Sequence, residues 1–198
     1  MGIDLTQFET ENVRIMTNLR FSTAQQVIEA FPVLKEEFES GNLQFHSIEF
    51  VHHLVEAGQI RQAFALCAFM LPRREAVSWL CENMRKFGGN FPEEDEALLG
   101  LAESWVQNPT EKNRGAALAA AMKSGFKTGP AWAAAAAGWS GGDIGNDPAN
   151  PVPPPPHLTG QAVKTGFIIS YWNVFGEKRD IRAKEAIKRA LDMLQPAR

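Results

Sequence analysis

The sequence has few of the features of a secreted or membrane-bound protein. Its 198 residues include only two cysteines, Cys67 and Cys81, too few for the disulfide framework of a small secreted domain. No stretch approaches the roughly 18 consecutive apolar residues that a membrane-spanning helix needs. Asp4, Glu9 and Glu11 stand where a signal peptide would have basic and then apolar residues. We therefore expect a cytoplasmic protein without a membrane span.

Neither sign of charge dominates the sequence. Lysine and arginine together number 20, aspartate and glutamate 23, and the formal net charge is -3. A general nucleic-acid binder would show a basic surplus, so we do not expect a general nucleic-acid binder, although a local basic patch stays open. The sequence contains no phosphate-binding glycine loop, dinucleotide-binding fingerprint or kinase signature, and we assign it no cofactor. Hydrophobic residues make up 44% of the chain, enough for an ordinary globular core.

Apolar side chains recur at helical spacing along most of the chain. The segment from Gln59 to Leu71 places them three and four residues apart, and Pro72 then interrupts the pattern. The segment from Arg73 to Phe87 repeats the spacing and ends at glycine. Short β-prone runs occur only at 42–50 and 167–170. The pattern predicts an all-α fold, built as a compact or solenoid-like array of antiparallel helix pairs.

We expect a single helical domain over residues 1–198, with 1–45 as a less regular N-terminal segment. Asn108 and Pro109 suit the N-cap and first position of a helix that continues into an alanine-rich segment. Residues 138–157 form one long loop rich in glycine and proline. Its four consecutive prolines, Pro153 to Pro156, favour a polyproline II conformation. A loop of this length in a compact domain usually has a function.

One motif resembles the nucleophile turn of serine hydrolases. Residues 138–142 match G-x-S-x-G around Ser140, and Asp143, Asp147 and His157 follow it. In those enzymes a strand precedes the serine, whereas here an alanine-rich segment with helical character precedes it. The competing interpretation is a glycine- and serine-rich helix end.

Four polar residues on one predicted helix are candidate metal ligands. Glu49, His53 and Glu56 fall on one face, with His52 at its flank. Histidine and carboxylate side chains together bind zinc or iron. The H-E-x-x-H spacing is absent and Glu-x-x-His occurs once, whereas a di-iron bundle needs it on two helices. A solvated helix face with local ion pairs is the alternative.

Four other residues are candidates for contact with a protein partner. Arg73 and Arg74 open a helix, where cations oppose the helix dipole, so a surface ion pair or a partner contact would explain them. Trp139 and His157 border the long loop, and exposed aromatic residues often anchor interfaces. The two cysteines lie on apolar helix faces without an adjacent basic residue, so we expect buried packing there.

Two stretches carry a family resemblance. LCAFMLPRREAVSWLCENM (66–84) and AAAAAGWSGGDIGNDPANPVPPPPHLTGQAV (133–163) resemble an uncharacterised family of small bacterial α-helical proteins associated with type VI secretion gene clusters. The resemblance implies a helical accessory protein. It supplies no active site, so no catalytic residue is transferred from it.

These observations lead to three hypotheses on function. The leading one is a non-enzymatic cytoplasmic interaction protein: an accessory, adaptor or chaperone-like factor, for example one that serves a bacterial type VI secretion system. The second is an enzyme, either metal-dependent through the cluster at 49–56 or a serine hydrolase through Ser140. The third is a structural subunit that forms homo-oligomers through the apolar face of residues 158–175.

Overall fold

A computed structural model describes residues 20–38, 43–88, 90–144, 149–173 and 178–195. These residues form nine α-helices and one 3₁₀ helix and contain no β-strand. A single antiparallel bridge pairs Thr23 with His46. The helices are, in chain order, α1 (Ala24–Ala30), the 3₁₀ helix (Pro32–Glu37), α2 (Ser47–Glu56), α3 (Ile60–Met70), α4 (Arg73–Phe87), α5 (Glu93–Gln107), α6 (Glu111–Ser124), α7 (Gly129–Gly138), α8 (Leu158–Asn173) and α9 (Arg179–Leu194). The prediction of an all-α fold is confirmed.

Two helices lie at the centre of the fold, because their own side chains are small or apolar on every side and can be buried all round. In α3, nine of eleven residues are buried. In α7, nine of ten are buried, and most are alanine or glycine. Small residues let the backbones approach closely: a Cβ added at Gly138 would lie 2.6 Å from the Cβ of Leu118 in α6. α7 therefore packs tightly against α5, α6 and α8.

An aromatic cluster joins the C-terminal helices to the centre. Trp79 of α4 is fully buried, and its ring lies 3.9 Å from that of Phe167 in α8 and 6.2 Å from that of Phe64 in α3. The indole Nε1 donates a hydrogen bond of 2.7 Å to the carbonyl of Ala186 in α9. One side chain thus links four helices and leaves no buried indole donor unpaired.

Ion pairs on both sides of α4 show how its neighbours are arranged. Arg85 pairs with Glu96 and Glu103 of α5. On the other side, Lys86 pairs with Glu185 of α9 at 3.1 Å. Partly exposed pairs contribute little stability, about 0–1 kcal/mol each, but they identify the helices that lie beside α4. α5 and α9 therefore flank α4 on different sides.

The start of α6 corrects one prediction. Asn108 does not cap this helix; its backbone is extended and ends α5. Thr110 is the N-cap, and its hydroxyl accepts a hydrogen bond of 3.3 Å from the amide of Asn113. The prediction was wrong by two residues because both Asn108 and Thr110 have good capping side chains, and the length of α5 decides between them.

The N-terminal part of the chain contains two short helices among its described residues. Residues 1–19 and 39–42 lie outside the described residues, α1 and the 3₁₀ helix lie within 24–37, and residues 43–46 are not helical. Buried Lys164 of α8 forms an ion pair with Glu37, which fixes the 3₁₀ helix against α8. In the described ranges no helix is both long and apolar enough to cross a membrane.

The apolar face predicted for residues 158–175 is mostly used inside the chain itself. Ala162, Val163 and Phe167 are fully buried. They pack within the shared core rather than on an open surface. Trp172 is the exception in α8, with 54% of its surface exposed. A self-association surface on α8 is therefore restricted to its C-terminal end.

Candidate functional site

The end of α7 is followed by a turn, residues 138–143, that side chains from three other helices hold in place. The carbonyl of Gly138 accepts a hydrogen bond of 2.5 Å from Nη1 of Arg114. The next two carbonyls accept from Oγ1 of Thr159, at 3.0 Å, and from Nη1 of Arg73, at 2.7 Å. The last carbonyls of a helix have no partner within it, so these donors satisfy groups that would otherwise be unpaired. We call these residues the α7 turn.

Arg114 is the principal residue of the α7 turn. Only 6% of its surface is exposed, although it carries a full charge. Its Nε donates to Glu111 at 2.8 Å, and its Nη2 donates to the carbonyl of Asp143 at 3.0 Å. The hydrogen bond from Arg114 lowers the pKa of the Glu111 carboxyl. The buried guanidinium is therefore neutralised and hydrogen-bonded, as a buried charge must be.

Gly142 has no substitute in this arrangement. Its φ is +68°, in the left-handed region that favours glycine. A Cβ at this position would lie 2.3 Å from Nε of Arg114. Gly141 differs, because nothing lies within 4 Å of its added Cβ. The second glycine of the pair is thus required by backbone conformation and by the closeness of the arginine.

Ser140 takes part in ending the helix. Its Oγ donates a hydrogen bond of 2.6 Å to the carbonyl of Ala137, and the residue is half-buried. A helix precedes the serine, as the alanine-rich segment indicated, whereas the hydrolase turn follows a strand. The hydroxyl therefore has a structural use at this position.

The loop that leaves the α7 turn is closed at its base. The amide of Ile144 donates to the carbonyl of Val152 at 2.9 Å. The amide of Val152 in turn donates to Oδ1 of Asp143 at 2.6 Å. These bonds join the two ends of a loop, of which residues 145–148 are not among the described residues. They place the proline-rich segment beside the α7 turn.

The proline-rich segment, residues 149–157, then runs across the surface to α8. Pro154 is buried, and the other prolines are exposed, as is Val152 at 51%. Pro156 and His157 line a groove of about 210 Å³ together with Phe31 and Val33. One buried proline thus anchors a segment that otherwise faces solvent.

A comparison with protein families places this whole arrangement in a known group. A model described as a family of unknown function, DUF6931, matches residues 50–194. The chain belongs to this family. The matched residues include the α7 turn, its three donors and the proline-rich segment. The predicted resemblance to an uncharacterised family is thereby confirmed, and the family description states no activity.

Two further comparisons give no relatives. No curated protein and no solved structure matches the chain. The family is therefore identified without a function to transfer.

The two arginines that open α4 both contact ends of other helices. Arg73 binds the carbonyl of Ser140, after α7, and Nε of Arg74 donates 2.7 Å to the carbonyl of Val106, near the end of α5. Cations near helix C-termini are favourable, which offsets their unfavourable place at the start of α4. Arg73 is half-buried and Arg74 exposed, so Arg74 is the more open to a partner.

The structure brings Trp139 and Arg73 together at the α7 turn. The Trp139 ring is half-buried and lies 5.7 Å from that of Phe126 and 6.2 Å from that of Trp132. His157 is half-buried where the proline-rich segment meets α8. The partner-binding roles of Arg73, Arg74, Trp139 and His157 remain predictions.

The four metal-ligand candidates lie together on α2. Glu49, His52, His53 and Glu56 are all exposed. Within the described ranges, no group of three histidine, cysteine, aspartate or glutamate side chains could hold a metal ion. The ring of His53 lies 6.1 Å from that of Phe45. The role of these four residues as metal ligands stays a prediction.

Both cysteines are fully enclosed free thiols. Burial raises the pKa of Cys67 to about 12 and also raises that of Cys81. The thiolate is the reactive form, so neither residue is activated as a nucleophile. Both cysteines pack in the core, as predicted.

Arg114 and Thr159 were not among the sequence-based candidates. A single arginine in an alanine-rich helix resembles a solvated charge, and Thr159 resembles a helix-start residue. The only local signal was the spacing of Glu111 and Arg114, which suits an ion pair within one helix turn. Their partners in the α7 turn lie 20 to 29 residues away, beyond any local pattern.

Proposed function

We propose that the chain is a non-enzymatic interaction protein whose docking element is the proline-rich segment, residues 149–157. The observation that carries this proposal is a contrast within one loop. Three side chains from three helices fix the α7 turn, while four of the five prolines in residues 149–157 face solvent. Binding a fixed segment costs less entropy than ordering a free one.

The chemistry of the segment suggests the kind of partner. Proline-rich stretches dock into grooves lined by aromatic side chains, because their extended conformation is preformed. Pro153, Pro155 and Pro156 are exposed, and Pro154 points into the fold. This arrangement would present three prolines to a partner beside a turn that hydrogen bonds from three helices hold. We therefore propose a protein partner with an aromatic-lined groove.

The contacts of the candidate catalytic groups agree with a role without catalysis. The Ser140 hydroxyl donates to a helix carbonyl, and burial keeps both thiols protonated. The histidines and carboxylates of α2 are exposed on one helix face.

A finer proposal concerns the setting of this interaction. We propose a bacterial cytoplasmic adaptor or chaperone-like accessory of type VI secretion, which rests only on the resemblance of residues 66–84 and 133–163. A survey of genes that neighbour those of the family would test it. Secretion genes should recur among the neighbours, and their regular absence would contradict the finer proposal while leaving the docking proposal intact.

The docking proposal is tested by affinity purification from the organism that encodes the chain, with chemical crosslinking and mass spectrometry. A Pro153→Ala/Pro155→Ala/Pro156→Ala variant keeps buried Pro154 and the α7 turn. The matched control is the Met122→Ser variant, since Met122 is apolar and 63% exposed. Met122 lies eight residues after Arg114 in α6, which places it about 12 Å along the helix axis from the arginine that holds the α7 turn.

Wild type and the Met122 variant should recover the same crosslinked partner, and the triple variant should lose it. Circular dichroism should show that all three are equally folded. A partner retained at equal yield by the triple variant, or no partner for the wild type, would contradict the docking proposal.

A further inference from the structure

Two arginine side chains line the same cavity as the exposed end of the proline-rich segment. Arg20, four residues before α1, and Arg73, at the start of α4, border it together with Pro156. Within the described part of the chain, the lining of this cavity contains no carboxylate. We propose that the protein partner of the proline-rich segment places an aspartate or glutamate carboxylate at the mouth of this cavity, where it pairs with both arginines. This inference rests on the proposed function and deepens it, since it names the charge that the partner presents beside Pro156.

The size of the cavity limits what can enter it. Its volume is about 20 Å³, whereas one water molecule needs roughly 10–15 Å³. A single carboxylate oxygen is of that size, whereas a nucleotide or cofactor needs a cleft of about 300 Å³ or more. One anionic side chain at the mouth of the cavity therefore fits better than a small-molecule ligand.

Arg20 is exposed, and aromatic rings hold it in place. Its guanidinium lies 4.8 Å from the ring centroid of Phe21 and 5.8 Å from that of Phe31. The Phe31 ring packs edge-on against the ring of buried Phe69, with the centroids 5.0 Å apart. A guanidinium that stacks on ring faces keeps its N–H edges free. Those edges match a carboxylate, which arginine binds through two parallel hydrogen bonds.

Arg73 is half-buried and uses only part of its donor set. Its Nη1 donates to the carbonyl of Ser140 at 2.7 Å. A guanidinium has five N–H donors, so donors remain for a second acceptor, and a carbonyl does not neutralise the charge. The first turn of α8, which contains Thr159, also lines the cavity. The positive end of the helix dipole adds charge of the same sign as the two arginines.

The carboxylates of the described residues leave this positive charge unmatched. Neither Arg20 nor Arg73 is a member of the ion pairs that these residues form. Glu111, beside the α7 turn, pairs with Arg114. Glu75 lies two residues after Arg73 in α4, and residues two apart on a helix do not face each other. A carboxylate of the partner would supply the missing negative charge.

The cavity adjoins the groove of about 210 Å³ that His157 lines. Phe31 and Pro156 border both. Val33, in that groove, is 44% exposed, so apolar surface lies close to the two arginines. Protein interfaces combine an apolar centre with a polar rim. A partner that covers the exposed end of the proline-rich segment therefore comes within reach of both guanidinium groups.

Carbodiimide coupling tests the inference, because it joins a lysine amine to a carboxylate without a spacer. Arg20→Lys keeps the positive charge and places an amine at the cavity. During affinity purification from the native host, the reagent should link position 20 of this variant to an aspartate or glutamate of the partner, which mass spectrometry identifies. Exposed Lys123 is the internal control, since it lies nine residues, or about 13 Å along α6, beyond Arg114. It should give no link to that partner.

Charge reversal supplies a second measurement. Arg20→Glu should lower the recovery of the partner roughly tenfold or more, because repulsion replaces a charge-assisted pair. Lys123→Glu, the matched control, should recover as much partner as wild type. Both positions are exposed, and circular dichroism should show that both variants keep their fold.

The outcomes separate this inference from the docking proposal. If the wild type recovers a partner that the triple proline variant loses, but position 20 gives no carbodiimide link or Arg20→Glu recovers as much as wild type, this inference is overturned and the docking proposal stands. If the wild type recovers no partner, or the triple proline variant recovers it equally, both are overturned.

Discussion

Replacing Gly142 with alanine would place a methyl group where the Arg114 guanidinium now lies. The new Cβ would be 2.3 Å from Nε and 2.6 Å from Cζ of Arg114. The arginine would have to move, and it cannot do so without losing hydrogen bonds to the carbonyls of Gly138 and Asp143. The substitution therefore tests whether this contact organises the α7 turn.

Two terms set the magnitude. An L-residue in the left-handed region costs roughly 1 kcal/mol. Each hydrogen bond from a charged group contributes about 1.5–3 kcal/mol, and at least one would be lost from Arg114. The expected loss is about 2.5–4 kcal/mol, a large share of the roughly 5–15 kcal/mol that stabilises a typical domain. For a chain of this length, that lowers Tm by roughly 5–16 °C.

The neighbouring glycine supplies the control. Gly141 has an open Cβ direction, so Gly141→Ala should change the free energy of unfolding by less than about 0.5 kcal/mol. Urea denaturation and thermal melting followed by circular dichroism measure both variants. Equal stability of the two variants, or a Gly142→Ala variant as stable as wild type, would refute the argument.

Two further predictions concern the core. Burial raises the pKa of Cys67 from 9.0 to about 12, and it also raises the pKa of Cys81. Since the folded state holds these protons more tightly than the unfolded state, the stabilisation is complete below pH 9 and is lost as the pH rises above 9. For each thiol, the free energy of unfolding should fall by about 1.4 kcal/mol per pH unit above 9. In urea titrations at pH 7–11, a variant with alanine at both positions should show a smaller decrease in the free energy of unfolding with pH than the wild type. An equal decrease in both proteins would contradict this. Trp79→Phe should cost about 1–3 kcal/mol, since it leaves the buried carbonyl of Ala186 without its donor, while Trp172→Phe at an exposed position should cost under about 0.5 kcal/mol. Similar losses for the two tryptophan variants in urea denaturation would contradict the second prediction.

The helices could be predicted from the sequence because their signals are local. Arg73 to Phe87 was predicted as a helix and is one, since Pro72 bounds it on one side and Gly88 on the other. The same local reasoning erred at Asn108, where two capping residues stand two positions apart. Propensity alone could not decide between them, because the choice depends on where α5 ends.

The candidate site could be predicted only in part, because its contacts join distant residues. Ser140 and Arg73 were both singled out, but nothing in the sequence showed that they bind each other across 67 positions. Arg114 gave no sign of burial, since its partners come from a turn that follows the next helix. The positive φ of Gly142 depends on that same turn. Tertiary contacts, and not local patterns, define the α7 turn.

The most direct test of the proposed function is photo-crosslinking in living cells. A photoreactive amino acid at exposed Val152, which leaves every proline of the segment in place, would be compared with the same residue at exposed Met122. We expect position 152 to yield a discrete crosslink to one protein and position 122 to yield none to that protein. Equal crosslinking at both positions, or none at 152, would contradict a docking role for the proline-rich segment.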